Sequence, residues 1–154
     1  MPDRTFDLEE RLLNYAAPIV RLVENLPNTQ ASNHIAGQLL RSGTSALPNH
    51  GEAEGAESKN DFIHKLGICH KELRESRRWI KLIRRVPLLT DTAALDAALN
   101  ETDELVRIFA ASIRTARAGG CREDSETYGN MNAQLSALNV QVGETANAIQ
   151  IPRV

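Results

Sequence analysis

Aromatic residues make up only 4% of this 154-residue chain. A core so poor in rings must be built from aliphatic side chains and alanine, which suits closely packed helices better than a β-sandwich. Cysteine is scarce too. Cys69 and Cys121 are too few for a disulfide framework, so a reduced, cytoplasmic setting is expected. No stretch approaches the ~18 apolar residues of a spanning helix, and the opening MPDRTFDLEER has no apolar signal core. The expectation is a protein neither secreted nor embedded. Neither sign of charge dominates: the net charge is −2, which argues against a wholly basic nucleic-acid binder but not against a local patch.

Catalytic signatures are missing as well. Di-metal chemistry in a helical bundle needs inward-facing Glu-x-x-His pairs, and none exists here. His34, His50, His64 and His70 have no metal-ligand spacing with either cysteine. His50 and Glu54 share a helix face, but two ligands beside a proline do not make a site. Cys69 and His70 are adjacent, and neighbours on a helix diverge by about 100°, so no thiolate–imidazole pair follows. There is no phosphate-cradling glycine loop and no nucleophile elbow. No catalytic residue, metal or cofactor is expected, and the chain is not expected to be an enzyme.

Helical periodicity is what the sequence does have. From Ser58 to Val86, the residues Phe62, Leu66, Cys69, Leu73, Ser76, Ile80 and Ile83 follow in 4-3-4-3-4-3 steps, one seam of a helix and impossible for a strand. Ser58 and Asp61 form a weak capping box, and Pro87 ends the helix. A first helix is predicted from about Thr5 to Leu26. Phe6, Leu13, Ala16, Val20 and Val23 share its inward face, with Leu12, Ile19 and Leu26 alongside. Asp7, Glu9 and Glu10 suit the positive end of its dipole, Pro18 should bend it, and Pro27 ends it. Thr29 or Ser32 caps a second helix whose seam is Ile35, Leu39, Ser42, Ala46, Asn49, Ala53 and Ala56. Gly37, Gly43, Gly51 and Pro48 are costly inside a helix and point to a close backbone approach; the alternative is a break between Gly43 and Pro48. After the short Gly55–Lys59 link and the third helix, Asp91 or Thr92 caps a fourth. Its seam is Leu95, Ala98, Thr102, Leu105, Phe109, Ser112 and Ala116, widened by Leu99, Val106 and Ile113, with Gly119 and Gly120 as the stop.

Four long helices with short links predict an all-α, up-down-up-down antiparallel four-helix bundle over residues 1–119. Residues 120–154, rich in Asn, Gln, Ser and Thr, read as a polar C-terminal tail, disordered or weakly helical. Leu135, Leu138 and Val142 hint there at a short amphipathic segment.

Charge is concentrated in one helix. Residues 58–86 carry +6, while the other four stretches carry −2 each. Lys71, Arg74, Arg78, Lys81 and Arg85 step 3-4-3-4, with Arg77 and Arg84 beside them, roughly opposite the apolar seam. Such a row is either a solvated helix face or a phosphate track for RNA or DNA. Trp79 lies within it, to stack on a base or to cover a core edge or subunit contact. A second polar group, Arg41, Ser42, Ser45, Asn49, Glu52 and Glu72, reads as a packing and registry network. Ser42 and Ser45 can bond back to the preceding turn, and Arg41 can pair with Glu72 or Glu75.

Gln38-Leu39, Arg41-Ser42, Ser45-Ala46, Asn49 and Glu52, then Ser58, Asp61-Phe62, Lys65-Leu66 and Glu72-Leu73, resemble the bacterial four helix bundle proteins, also known as 23S ribosomal RNA intervening-sequence proteins. These are related in fold to the accessory variability protein of diversity-generating retroelements. The likeness runs from about Phe6 to Gly119. The family commonly has Asn-x-Ala-Glu-Gly where this chain reads Asn49-His50-Gly51-Glu52-Ala53, and the tail is an addition. The resemblance implies a homo-oligomer, a ring of five bundles, with no known catalysis. The retroelement relatives imply nucleic acid and a reverse transcriptase as partners. The expected function is therefore a non-enzymatic oligomeric bundle associated with RNA or DNA through the third-helix stripe. The alternative is a protein-interaction adaptor docking a partner through the tail or the Trp79 region.

Overall fold

In a computed structural model that describes residues 7–119, the chain forms four helices: α1 (Leu8–Glu24), α2 (Gln30–Glu54), α3 (Lys59–Arg85) and α4 (Thr92–Ala118). Each helix packs against the next in sequence, and α4 closes back onto α1, giving the up-down-up-down bundle. Thr5, Phe6 and residues 120–154, including the predicted polar tail, lie outside the described residues.

Each start is set by a side chain that accepts a backbone N–H left free in the first turn. Asp7 accepts from Glu9 and Glu10, Thr29 from Ser32, Ser58 from Asp61, and Asp91 from Ala93 and Ala94. The cap at Asp7 places the start of α1 later than the Thr5 expected from sequence. Its end is earlier as well: the Asn25 side chain donates to the Arg21 carbonyl at 2.8 Å and closes the last turn before Leu26.

The predicted seams of α3 and α4 are all buried. α1 is turned differently. Its core face is Leu8, Leu12, Tyr15, Ala16, Ile19, Leu22 and Val23; Ala16 and Val23 are inside as expected, whereas Leu13 and Val20, also expected inside, are 45% and 40% exposed. Both faces carry apolar residues at helical spacing, and the one holding the large Tyr15 and Leu22 wins because it removes more surface from water. In α2, His50 takes the inward place expected for Asn49, which is only half-buried.

α2 runs unbroken through Gly43 and Pro48. A Cβ on Gly43 would sit 2.7 Å from Cγ2 of Ile19, so this glycine permits α1 and α2 to touch. Gly37 and Gly51 have no atom within 4 Å of such a Cβ, so close approach within the bundle explains only one of the three. Pro48 is exposed, so the backbone bond it forfeits lies on the solvent side of the helix. Among the described residues, no helix is long and apolar enough to cross a membrane.

Candidate nucleic-acid interface

The basic row of α3 follows from the way the helix is anchored. Leu66, Leu73, Ile80 and Ile83 are almost fully buried, which fixes the rotation of α3 about its axis. Lys71, Arg74, Arg78, Lys81 and Arg85 then come out exposed, with no ion pair among the described residues. From Lys71 to Arg85 the row is about 21 Å long at 1.5 Å per residue. The other two predicted members are engaged elsewhere. Arg77 donates to Asp103 at 3.1 Å, and Arg84 lies 2.6 Å from Asp96, so both tie α3 to α4. The seven-residue stripe therefore divides into five free cations and two structural ones.

Trp79 is half-buried at the α2 side of α3. Its indole N–H points at Glu75 Oε1 (3.4 Å), and its ring meets His34 edge-on with centroids 6.1 Å apart. It packs against the core as well, so covering the core edge is the role the geometry gives it.

The six residues predicted as one polar network separate into a buried part and a rim. On the rim, Arg41 is bonded to Glu75 (2.7 Å) and Gln38 (3.2 Å), and Glu52 pairs with Lys65 of α3. Ser45 donates to the Arg41 carbonyl at 2.5 Å, and Asn49 donates to the Ser45 carbonyl at 2.8 Å. Asn49 thus finds its partner in its own helix and not in a neighbour. Glu72 is buried, its Oε2 3.9 Å from Arg41 and without a hydrogen bond among the described residues.

Inside the bundle the polar network is a different one, with a hydroxyl from every helix. Ser42 and Ser76 lie 3.0 Å apart, and Ser76 reaches the Glu72 carbonyl at 3.0 Å. The Thr102 hydroxyl is 2.6 Å from the Ala98 carbonyl and 3.0 Å from the Tyr15 hydroxyl. A hydroxyl has one proton; given to Ala98, it leaves Tyr15 to donate to Thr102. Ser76 also acts on the Tyr15 hydroxyl, and burial pushes the tyrosine pKa up and keeps the phenol neutral. Tyr15, Ser42, Ser76 and Thr102 therefore form a level that holds all four helices in register. Sequence reasoning placed three of them on seams without connecting them, and it missed Tyr15. The available signal was a small hydroxyl interrupting each of three apolar seams.

Reactive side chains are quiet. The Cys69 thiol donates to the Ala46 carbonyl at 3.4 Å, and burial pushes its pKa up to about 12, so it stays protonated and non-nucleophilic. His50 is buried edge-on against Phe109, with centroids 6.3 Å apart and Nδ1 unpartnered among the described residues; burial lowers its pKa. Burial also lowers that of His70, helped by Arg74 and Arg77. Among the described residues, no cluster of His, Cys, Asp or Glu could hold a metal ion.

A family model for the 23S rRNA-intervening sequence protein matches residues 5–111. One solved structure, a protein of unknown function from the S23 ribosomal protein family of Bacteroides thetaiotaomicron, is 34% identical. The match covers 70% of this chain and 98% of that one, with a TM-score of 0.64. Among curated proteins none matches.

Proposed function

Because this chain belongs to the 23S rRNA-intervening sequence protein family, we propose that it is a non-enzymatic, cytoplasmic, homo-oligomeric bundle that binds the phosphate backbone of RNA or DNA through α3. One observation carries this reading. Among the described residues, five cations at helical spacing stand exposed and unpaired, while their neighbours Arg77 and Arg84 are consumed by acids of α4. Holding five like charges along one face is unfavourable unless an anion covers them. A row of about 21 Å matches several successive phosphates of a nucleic-acid strand and would release their counterions on binding. A ring of five copies, which the family resemblance implies, multiplies that row without changing the −2 balance of each chain. The adaptor reading is weaker, since Trp79 is already engaged by His34 and Glu75.

Binding of a labelled polyanion, RNA and DNA in parallel, tests the proposal as salt is raised. Five phosphate contacts per bundle predict a slope of log K against log salt of about −3.5 for single strands to about −4.5 for B-DNA. Changing Lys71, Arg74, Arg78, Lys81 and Arg85 together to Ser removes binding, whereas Arg77→Ser leaves most of it. No affinity at low salt, or affinity that survives the fivefold change, overturns the reading. Light scattering on the same sample reads the oligomer.

A further inference from the structure

The seam between α1 and α4 is the sparsest of the four and holds an open, largely apolar groove of about 310 Å³. Its walls include Tyr15, Pro18 and Leu22 of α1 and Ala94, Ala97 and Ala98 of α4. Three alanines within one turn of α4 leave this surface hollow, and Ala94 and Ala97 are exposed. An apolar groove of this kind accepts the apolar edge of an amphipathic helix.

We infer that the segment Met131–Val142 of the same chain docks in this groove as a short fifth helix. Met131, Leu135, Leu138 and Val142 follow in 4-3-4 steps, the rhythm of the buried seams of α3 and α4, and residues 129–143 contain no charged side chain. A helix of about 12 residues is marginal in water alone, so this edge needs an apolar surface. The groove is within reach. From Gly119 back along α4 to Ala97 is about 33 Å at 1.5 Å per residue, and residues 120–130 span about 36 Å when extended. The family model matches residues 5–111, so this segment lies outside the part of the chain shared with the family.

Amide hydrogen exchange on the full chain tests the inference. Amides of 131–142 should exchange at least about tenfold more slowly than in an unstructured peptide, equally at low and high protein concentration. Ala97→Trp, which fills the groove, and Leu138→Ser, which removes the central anchor, should each return them to unstructured rates while α3 amides stay unchanged. Leu138→Ser should also shift the amide resonances of Ala94 and Ala97. This second variant decides the matter if Ala97→Trp disturbs the bundle. Unstructured rates in the native chain, or protection that survives both changes, overturns the inference. Protection that rises with concentration, or that returns when Ala97→Trp and Leu138→Ser chains are mixed into one oligomer, places the segment in another copy and overturns docking within the chain.

Discussion

The seam between α2 and α3 and the seam between α1 and α4 both set small residues against large ones, yet one is closed and the other open. On α2, Ser42, Ala46 and Ala53 are small and buried, and Ser42 and Ala46 meet Ser76 and Cys69 of α3. The helices come together, and the ion pairs Arg41–Glu75 and Glu52–Lys65 border the joint. On α4, Ala94, Ala97 and Ala98 are also small, but Tyr15, Pro18 and Leu22 of α1 do not fill the space before them. The reason lies across the bundle. Gly43 lets Ile19 press onto the α2 backbone, so α1 is packed more closely against α2 than against α4, and the α4 side is the hollow one. Small residues close a seam only where the opposite helix is free to move in.

Leu73→Ala should give the largest effect, a loss of about 2–5 kcal/mol by urea denaturation, because this side chain is 0% exposed and the joint around it is full. Leu22→Ala, on the wall of a groove already open to water, should fall at or below the low end of that range. An equal or larger loss at Leu22 would mean that the α1–α4 seam is filled after all.

Gly43→Ala should cost about 1–3 kcal/mol, since Ile19 is stiff at its branched carbon and fully buried, and cannot yield without moving α1. Gly37→Ala and Gly51→Ala meet no atom and should stabilise by up to about 1 kcal/mol. Thermal melts of the three variants read the difference in sign. If Gly43→Ala is harmless, the account of why α1 packs more closely against α2 fails.

Ser76→Ala should cost about 1 kcal/mol, and more if it leaves Ser42 without a partner. Replacing Ser42 and Ser76 together by Ala should cost less than the sum of the single changes, which a double-mutant cycle checks.

The gentlest perturbation is one proton on His50. Burial holds its folded pKa below the ordinary 6.5, so the unfolded chain takes up the proton first. Stability should fall as pH drops through 6.5 and keep falling until the folded-state pKa is passed. Glu54, Glu9 and Asp7 oppose this but are outweighed by burial. His70 is shifted in the same direction, so His50→Leu should reduce the slope without abolishing it. A denaturation midpoint in the native chain that is flat from pH 7 to pH 5 would show that the His50 ring reaches water.

Local rules made much of this legible in advance. The seams of α3 and α4 and the outward turn of Lys71, Arg74, Arg78, Lys81 and Arg85 follow from spacing, because a long helix with one apolar edge has a single sensible rotation; the Ser58 cap was also legible, while Thr29 and Asp91 were each one of two candidates. α1 was harder to read. Leu13 and Val20 offer nearly as good an apolar edge as Leu12 and Ile19, and two comparable edges leave the rotation open.

What the order of residues determined alone is the number of helices, their direction and the concentration of positive charge on the third, since these depend on contacts within about one turn. Tertiary structure decided which cations stay free, because Asp96 and Asp103 belong to the next helix, 12 and 26 residues along the chain, and claim Arg84 and Arg77. It also decided that Tyr15, Ser42, Ser76 and Thr102 share one level and that the alanines of α4 look into a hollow. Those outcomes depend on how four rods settle against one another, a balance of packing in space that no periodicity along a single rod contains.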